Sequence, residues 1–521
     1  MATKNSRRPV RRPHQIHKPN GSVHPRVQKV GPEHFGIVSV DCAKARSKWM
    51  LADFYGNVLV SPSEIDHAKP ALKAASEQIR RVSAKHQILD LIVVVERTGR
   101  YHQVVKNALA NDGFEVRVVH PFATKQFRQP ADPGNKTDDT DLSAIHRAAV
   151  NGFGLAEPAI DPIHHRIQLL ARHRRDLVRK AVALRCKIRE YLNVFMSGFD
   201  TCFADPFDGE VALTIARHLG SPRAVREARR VGIERILRDA KIRFQAPTLE
   251  RIVAWAEQAP DPSDDAPIQQ RIALALEDDR RGKVREIATL ESDLSELLAR
   301  TPFLLLLSIP GVNVVSAAEF AGEMGPIGHY ASSRSITRRA GLVPSRHQSD
   351  RVDRADGPLI RQANRGLRQA IMTIADNLMS CNEYFRTLSA GWRAAGKDPR
   401  HSHVKVAGRF CRIAYQMVAG GRVFSHPCRQ RRDYILNKLM RFHIDHATPM
   451  IQAQRTLASA VEQIPGPERA VEAVPLAEEL AKATARRASG PRLIGELLPA
   501  VLARLGVNLV ESNPSGEADP R

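Results

Sequence analysis

The sequence predicts an α/β domain built on a mixed sheet, joined through long helices to a mainly helical carboxy-terminal module. Three observations lead there. Between Phe35 and Pro121 short apolar strands alternate with stretches of helical periodicity. From Ile163 to Phe195 apolar residues recur at three- and four-residue intervals. From Pro302 to about Gly421 apolar helical segments run through a strongly basic background.

Taken in order, FGIVSVD, KWMLADF and VLVS read as two or three antiparallel strands, with Gly56-Asn57 turning the chain between the last two. A helix follows from about Lys69 to Lys85, then the buried-strand run ILDLIVVVE, a helix near Tyr101 to Asn111, and the strand FEVRVVHP. That order, β-β-β-α-β-α-β-α, fits a mixed sheet flanked by helices. The long helix carries the seam Ile163, Ile167, Leu170, Leu177, Ala181, Leu184, Ile188, Tyr191 and Phe195, interrupted only by Arg174, and is expected to be a coiled-coil or long bundle helix. Ile287, Leu290, Leu294 and Leu297 offer an antiparallel partner stripe, and the Pro- and Gly-punctuated stretch from Ser197 to Arg285 reads as an insertion of short helices. In FLLLLSIPGVNVVSAAEF, Pro310-Gly311 separates two apolar helices in the manner of a helix-hairpin-helix, whose second helix could hold a phosphate at its amino terminus. The chain thus divides into a flexible basic arm (1–33), the sheet domain (34–155), long helices with an inserted segment (156–301), the helical module (302–425) and a partly disordered extension (426–521) with a possible helix from Leu493 to Leu505.

Composition narrows the function. Lysine and arginine total 79 against 56 acids, a net charge of +23, on a chain of 521 residues that is 43 % hydrophobic. The excess charge therefore sits on a folding protein and points to a polyanionic partner. The six cysteines form no C-x-x-C pair, which argues against a disulfide framework or thiolate zinc site and for a reducing, cytoplasmic setting, at the nucleoid if DNA is the partner. No stretch reaches the ~18 apolar residues of a membrane span, and the basic first thirty residues lack the apolar core of a secretory signal. Aromatics at 5 % disfavour a base-stacking platform.

Four acids fall where metal chemistry needs them. Asp41 and Glu96 end apolar strands, and Asp138 and Asp141, three apart, share one side of the helix that opens at KTDDTD. Carboxylates converging at strand ends suit Mg²⁺ or Mn²⁺, and a pair of such ions can clamp the attacking and leaving oxygens of a phosphodiester. Taken alone, Asp138 could instead be a helix cap and Asp141 a dipole partner. Asp139 would point away from both. The histidines His401, His403, His426, His443 and His446 have no cysteine or carboxylate at zinc-finger spacing. Arg338, Arg339, Arg346, Arg351, Arg365 and Arg368 are candidates for nucleic-acid contact.

VDCAK at Asp41, VERTGRYH at Glu96 and NKTDDTDLSAIHRA at Asp138 and Asp141 resemble the DEDD transposases of the insertion-sequence-110 family. The resemblance resumes at LLSIPGVNVVSAAEFAGEMG and continues through AGLVPSRHQSDRVDRADG and QANRGLRQAIMTIA. It implies a RuvC-like, ribonuclease H-type fold for the amino-terminal domain, with Asp41, Glu96, Asp138 and Asp141 as catalytic metal ligands. It also implies a nucleophilic serine, Ser349, within a pattern where Asp350 replaces the usual glycine; Ser345 is the competitor. A site-specific recombinase follows, one that cuts DNA through a covalent phosphoserine, joins a carboxylate site from one subunit with the serine of another in a dimer or tetramer, and is directed by a structured RNA from its own element. Two other readings stand beside it: a metal-dependent nuclease or junction resolvase that uses water, and a non-catalytic nucleic-acid-binding remnant.

Overall fold

The first unit runs through α1 (His24–Val30), β1 (Phe35–Cys42), β2 (Arg46–Asp53), β3 (Val58–Asp66), α2 (Lys69–Lys85), β4 (Asp90–Glu96), α3 (His102–Asn111), β5 (Val116–Val119), α4 (Pro121–Arg128), α5 (Asp138–Val150) and β6 (Leu155–Ala156). The computed structural model describes residues 20–130, 133–157, 161–349, 352–354, 357–361, 363–425 and 432–465, and the chain separates into units 1–159 and 160–521.

Strand order is β3-β2-β1-β4-β5-β6, with β1 antiparallel to β2 and parallel to β4, and β4 parallel to β5. This is the ribonuclease H-type mixed sheet. Its two central strands are apolar on both faces because helices cover both. Val38, Val40, Val93 and Val95 meet Leu72, Ala75 and Ile79 of α2 and Leu109 of α3 on one side. Ile37, Ile92 and Val94 meet Ala123 of α4 and Ile145, Ala148 and Ala149 of α5 on the other. Alternation along a strand then decides where every side chain goes. The Gly56-Asn57 turn joins β2 to β3: Gly56 takes φ +97°, and Asp53 Oδ1 accepts from the amides of Gly56 (2.8 Å) and Asn57 (2.9 Å).

The basic arm differs from expectation in its last part. Val23 and Val27 are buried against the sheet, and Arg26 bonds Asp90 and Glu115 at 2.5 Å each while lying over the ring of Phe35. Apolar residues at i and i+4 let this stretch fold as α1 in spite of its charge. Residues 1–19 lie outside the described residues.

The second unit contains α6 (Pro162–Phe195), α7 (Val211–His218), α8 (Pro222–Asp239), α9 (Ala246–Gln258), α10 (Ala266–Ala299), α11 (Val314–Met324), α12 (Ser333–Arg339), β7 (His347–Ser349), β8 (Val352–Arg354), α13 (Arg365–Cys381), α14 (Glu383–Ala394), α15 (Pro399–Gly420), α16 (Arg432–Asp445) and α17 (Met450–Gln463). Helices α6 and α10 pair antiparallel. Ile167 and Ala171 share a core with Leu294 and Leu298 at one end, and Leu192 and Phe195 share another with Ala266 and Ala273 at the other. The stretch between them forms α7, α8 and α9 on that second core, so the inserted segment is a folded layer on the helical pair.

Two expectations for this unit are corrected. The Pro310-Gly311 segment joins a 3₁₀ turn (Pro302–Ser308) to α11, not two α-helices. The amino terminus of α11 is not open for a phosphate: Val314 and Ser316 are buried, and Asn313 and Ser316 cap each other's amides (2.8 and 3.1 Å). Lys438 of α16 donates to the carbonyls of Leu307 (2.7 Å), Ile309 and Val312 (2.9 Å each), and burial lowers its pKa to about 7. The extension is also folded as far as Ile464, because Leu436, Leu439, Leu457 and Val461 complete the core around Phe303. The helix proposed from Leu493 to Leu505 lies outside the described residues. Among the described residues no helix is long and apolar enough to cross a membrane.

Candidate active site

The parallel register of β1 and β4 pairs Val40 with Val95, so Asp41 and Glu96 follow at the same level at the carboxyl ends of adjacent strands. Val38, Val40 and Cys42 pack on the side of α2 and α3. Asp41 is therefore directed to the side of α4 and α5, and the alternation of Ile92 and Val94 with Val93 and Val95 sends Glu96 there too. Helix α5 begins on that side. Its cap is Thr137, whose hydroxyl accepts from Thr140 N (3.2 Å) while Thr140 Oγ1 accepts from Thr137 N (2.9 Å). The capping reading of Asp138 is thereby overturned, while Asp138 and Asp141 both lie in the first turn, where the helix dipole favours an acid. Asp139 turns outward to Lys48 (2.8 Å), as its offset from the pair requires.

The four acids act on one another. Burial first, then the charges of Asp141 and Asp138, push the Asp41 carboxyl above its ordinary range, with Lys136 opposing. Burial, then Asp41 and Asp141, push Glu96 up to about 7. Glu96 is 9 % exposed and Asp141 5 %, whereas Asp41 is half-buried and Asp138 exposed. The cluster thus opens to solvent on the Asp138 side. Hard oxygen donors burdened by mutual repulsion fit a divalent cation in kind. Among the described residues, however, no three acidic, histidine or cysteine side chains gather tightly enough to hold one ion.

Sequence reasoning missed two residues of α4. Arg128 donates to Asp141 Oδ1 and also lowers the pKa of Glu96, as does Thr124 one turn earlier, whose buried hydroxyl makes no close hydrogen bond of its own. The signal was present: HPFATKQFR starts a helix at the carboxyl end of the next parallel strand, β5, and places Thr124 and Arg128 four apart on one face.

In the second unit Ser349 lies on a two-stranded ribbon. His347 pairs with Arg354, Gln348 with Asp353 and Ser349 with Val352, and at the base Pro344 bridges Leu359. Ser349 is exposed and occupies the last paired position. Ser345 is half-buried at the base: its amide donates to Pro358 O (2.9 Å), its carbonyl accepts from Gly357 N (3.2 Å), and its hydroxyl packs where a side chain on Gly357 would stand. Asp350 and Arg351 lie outside the described residues.

The other candidate arginines divide. Arg338, Arg346 and Arg365 are exposed. Arg339, also exposed, donates to the Tyr330 hydroxyl (2.7 Å). Arg368 is half-buried and donates to the carbonyls of Ala340 (2.8 Å), Gly341 (3.2 Å) and Ile360, so it frames the chain on either side of the ribbon. Of the histidines, His403 lies 3.1 Å from Asp376 and His446 2.6 Å from Glu291; His426 is outside the described residues.

Residues 38–197 match the transposase family model DEDD_Tnp_IS110, and residues 304–390 match that of the IS116/IS110/IS902 transposases. The chain is 21 % identical over 366 residues to the uncharacterized 43.6 kDa protein of insertion element IS110 from Streptomyces coelicolor, which spans 70 % of this chain and 89 % of that one. It is 29 % identical over 123 residues to the transposase for insertion sequence element IS1328 from Yersinia enterocolitica, 23 % of this chain and 36 % of that one. The fold and these matches define an enzyme that cleaves and rejoins DNA. The chain is similar to the transposases of the IS110 family over residues 38–197 and 304–390.

Proposed function

We propose that this transposase excises and inserts its own insertion sequence, with Asp41, Glu96, Asp138 and Asp141 holding Mg²⁺ or Mn²⁺ and Ser349 attacking the DNA. One observation carries the reading: two carboxylates at the ends of neighbouring parallel strands face two more on the first turn of α5, and burial, then the neighbouring acids, raise Asp41 and Glu96. A divalent ion bound there would supply charge to stabilise the phosphodiester transition state.

Ser349 Oγ forms a bond to phosphorus as the bond to a DNA oxygen breaks, and the serine proton leaves with that oxygen. Attack by a second DNA end reverses the exchange. The exposed position of Ser349 supports this role over the half-buried Ser345. Exposed Arg338 and Arg365 would meet backbone phosphates, with Arg346 exposed on the same unit, whereas Arg368 serves as a brace. In this reading the carboxylates of one copy act with the serine of another in a dimer or tetramer, a structured RNA from the element chooses the target, and the work is done on DNA in the cytoplasm.

The test is junction amplification across the excised, circularised element in cells carrying wild type, Asp138→Ala, Ser349→Ala or Ser345→Ala. The junction should appear with wild type and Ser345→Ala and vanish with the other two. Asp138→Ala leaves the threonine cap intact, so its loss of product would report chemistry and not folding. A junction that survives Ser349→Ala would reinstate the water-using nuclease, and none even from wild type would leave the inactive remnant.

A further inference from the structure

A positive charge already stands in the carboxylate cluster, and it belongs to the chain. The Arg128 side chain is 16 % exposed and the Asp141 side chain it bonds is 7 % exposed. Glu96 is within reach of the same guanidinium. Arg128 ends α4 and Asp141 lies in the first turn of α5, so the pair spans two helices that cover the same face of the sheet.

Physics gives such a residue a definite task. Several buried carboxylates close together are costly unless a cation accompanies them. A guanidinium offers directional donors to a carboxylate, but it uses the oxygen lone pairs a metal ion would need. A cation bound at Asp141 would have to share the carboxylate with a like charge in direct contact with it. With Arg128 on Asp141, no three candidate ligands gather around one point among the described residues. The donor set is right in kind, and the guanidinium occupies one member of it.

We infer that Arg128 is the resident counter-ion of this cluster, a guanidinium that a divalent cation must displace from Asp141, so that metal entry and Arg128 release are a single competitive exchange. The inference rests on the proposed metal role of the four carboxylates. It makes Arg128 a positioning residue, acting through Asp141. It separates this role from that of a plain tie between α4 and α5, because a tie would not oppose metal binding.

The experiment titrates MnCl₂ calorimetrically into the full-length wild type, Arg128→Gln, Arg128→Lys and Asp138→Ala, with thermal melts recorded in EDTA and in Mn²⁺. Arg128→Gln should bind Mn²⁺ roughly five-fold or more tightly than wild type, a typical size for coupling between competing interactions. It should also melt lower in EDTA and gain more from Mn²⁺ than wild type does. Arg128→Lys keeps the charge without the planar fork and should fall between; should the glutamine variant not fold, tighter binding by the lysine variant than by wild type decides the matter. Equal or weaker binding by the Arg128 variants, with Asp138→Ala still impaired, would overturn the inference and leave the carboxylate site standing. Absence of any Asp138-dependent Mn²⁺ binding would remove the metal reading and this inference together.

Discussion

Arg174 Nη2 lies 2.5 Å from Glu291 Oε1, joining α6 to α10 at the one place where the apolar seam of α6 is interrupted. The same guanidinium reaches Glu319 of α11 (3.1 Å), and Glu291 also receives His446, the residue just after α16 (2.6 Å). Burial alone would raise Glu291, but His446 and Arg174 hold it below its ordinary value, and Glu291 holds His446 above its own. A second node lies nearby: Arg172 grips the buried Glu323 through two bonds of 2.9 Å, and Asn364, the cap of α13, adds a third at 3.1 Å. The break in the seam is where four helices are tied through charge.

Completing the seam should therefore weaken the protein. Arg174→Leu matches the apolar pattern yet leaves Glu291 and Glu319 short of a partner, and breaking a buried pair from one side costs about 3–5 kcal/mol. The remaining His446 and Arg175 soften that loss. Thermal unfolding should show a clear fall in melting temperature, larger at pH 8 than at pH 6, because His446 loses its charge as pH rises through its elevated pKa. A melt that rises would mean that the network is dispensable.

Glu96 makes the carboxylate cluster a stability liability at neutral pH. Its pKa is about 7 in the fold against an ordinary 4.5, so between those values the folded chain holds a proton that the unfolded chain has lost. Stability must fall as pH rises through that window, with the penalty complete above 7, at about 1.4 kcal/mol for each pH unit that the window spans. In EDTA, Glu96→Gln should melt above wild type at pH 8, with the difference fading by pH 5, while DNA cleavage is lost. Identical melts at both pH values would show that the glutamate is not under strain.

Gly322 lets α11 lie directly on α6. A methyl there would stand 2.8 Å from Gln168 N and 2.9 Å from its Cα, both backbone atoms, which cannot turn away. Gly322→Ala should destabilise the second unit by roughly 1–3 kcal/mol, the usual cost of overpacking. Urea unfolding followed by helical circular dichroism measures it. A neutral result would require α6 and α11 to move apart freely.

Local pattern made most of the first unit readable. Helix α2 runs from Lys69 to Lys85 as its periodicity implies, and the apolar runs at β1 and β4 are the sheet's centre. The antiparallel pairing of β1, β2 and β3 was readable from their short connections, whereas the parallel pairing of β1 with β4 was not, since FGIVSVD has the same pattern either way. Asp41, Glu96, Asp138 and Asp141 could be picked out because acids ending apolar strands are conspicuous. Arg128 was legible only as a residue sharing a helix face with Thr124; that Asp141 stands across from it was not. Arg174 looked like a fault in the seam for a similar reason: its partners come from Glu291 and Glu319, far away in the chain. Lys438 likewise reads as one more surface lysine, although three carbonyls from another segment enclose it.

The side-by-side registration of β1 and β4 gives the cluster a parity. Asp41 and Glu96 reach the α4–α5 face because each stands an even number of steps from the apolar residues that cover that face, Ile37 and Ile92 among them. One residue inserted or deleted upstream within either strand would deliver the carboxylate to the α2–α3 side, among valines, even though composition and propensity hardly change. Length changes in these strands are thus confined to even numbers, while the loops that connect them are free of that arithmetic.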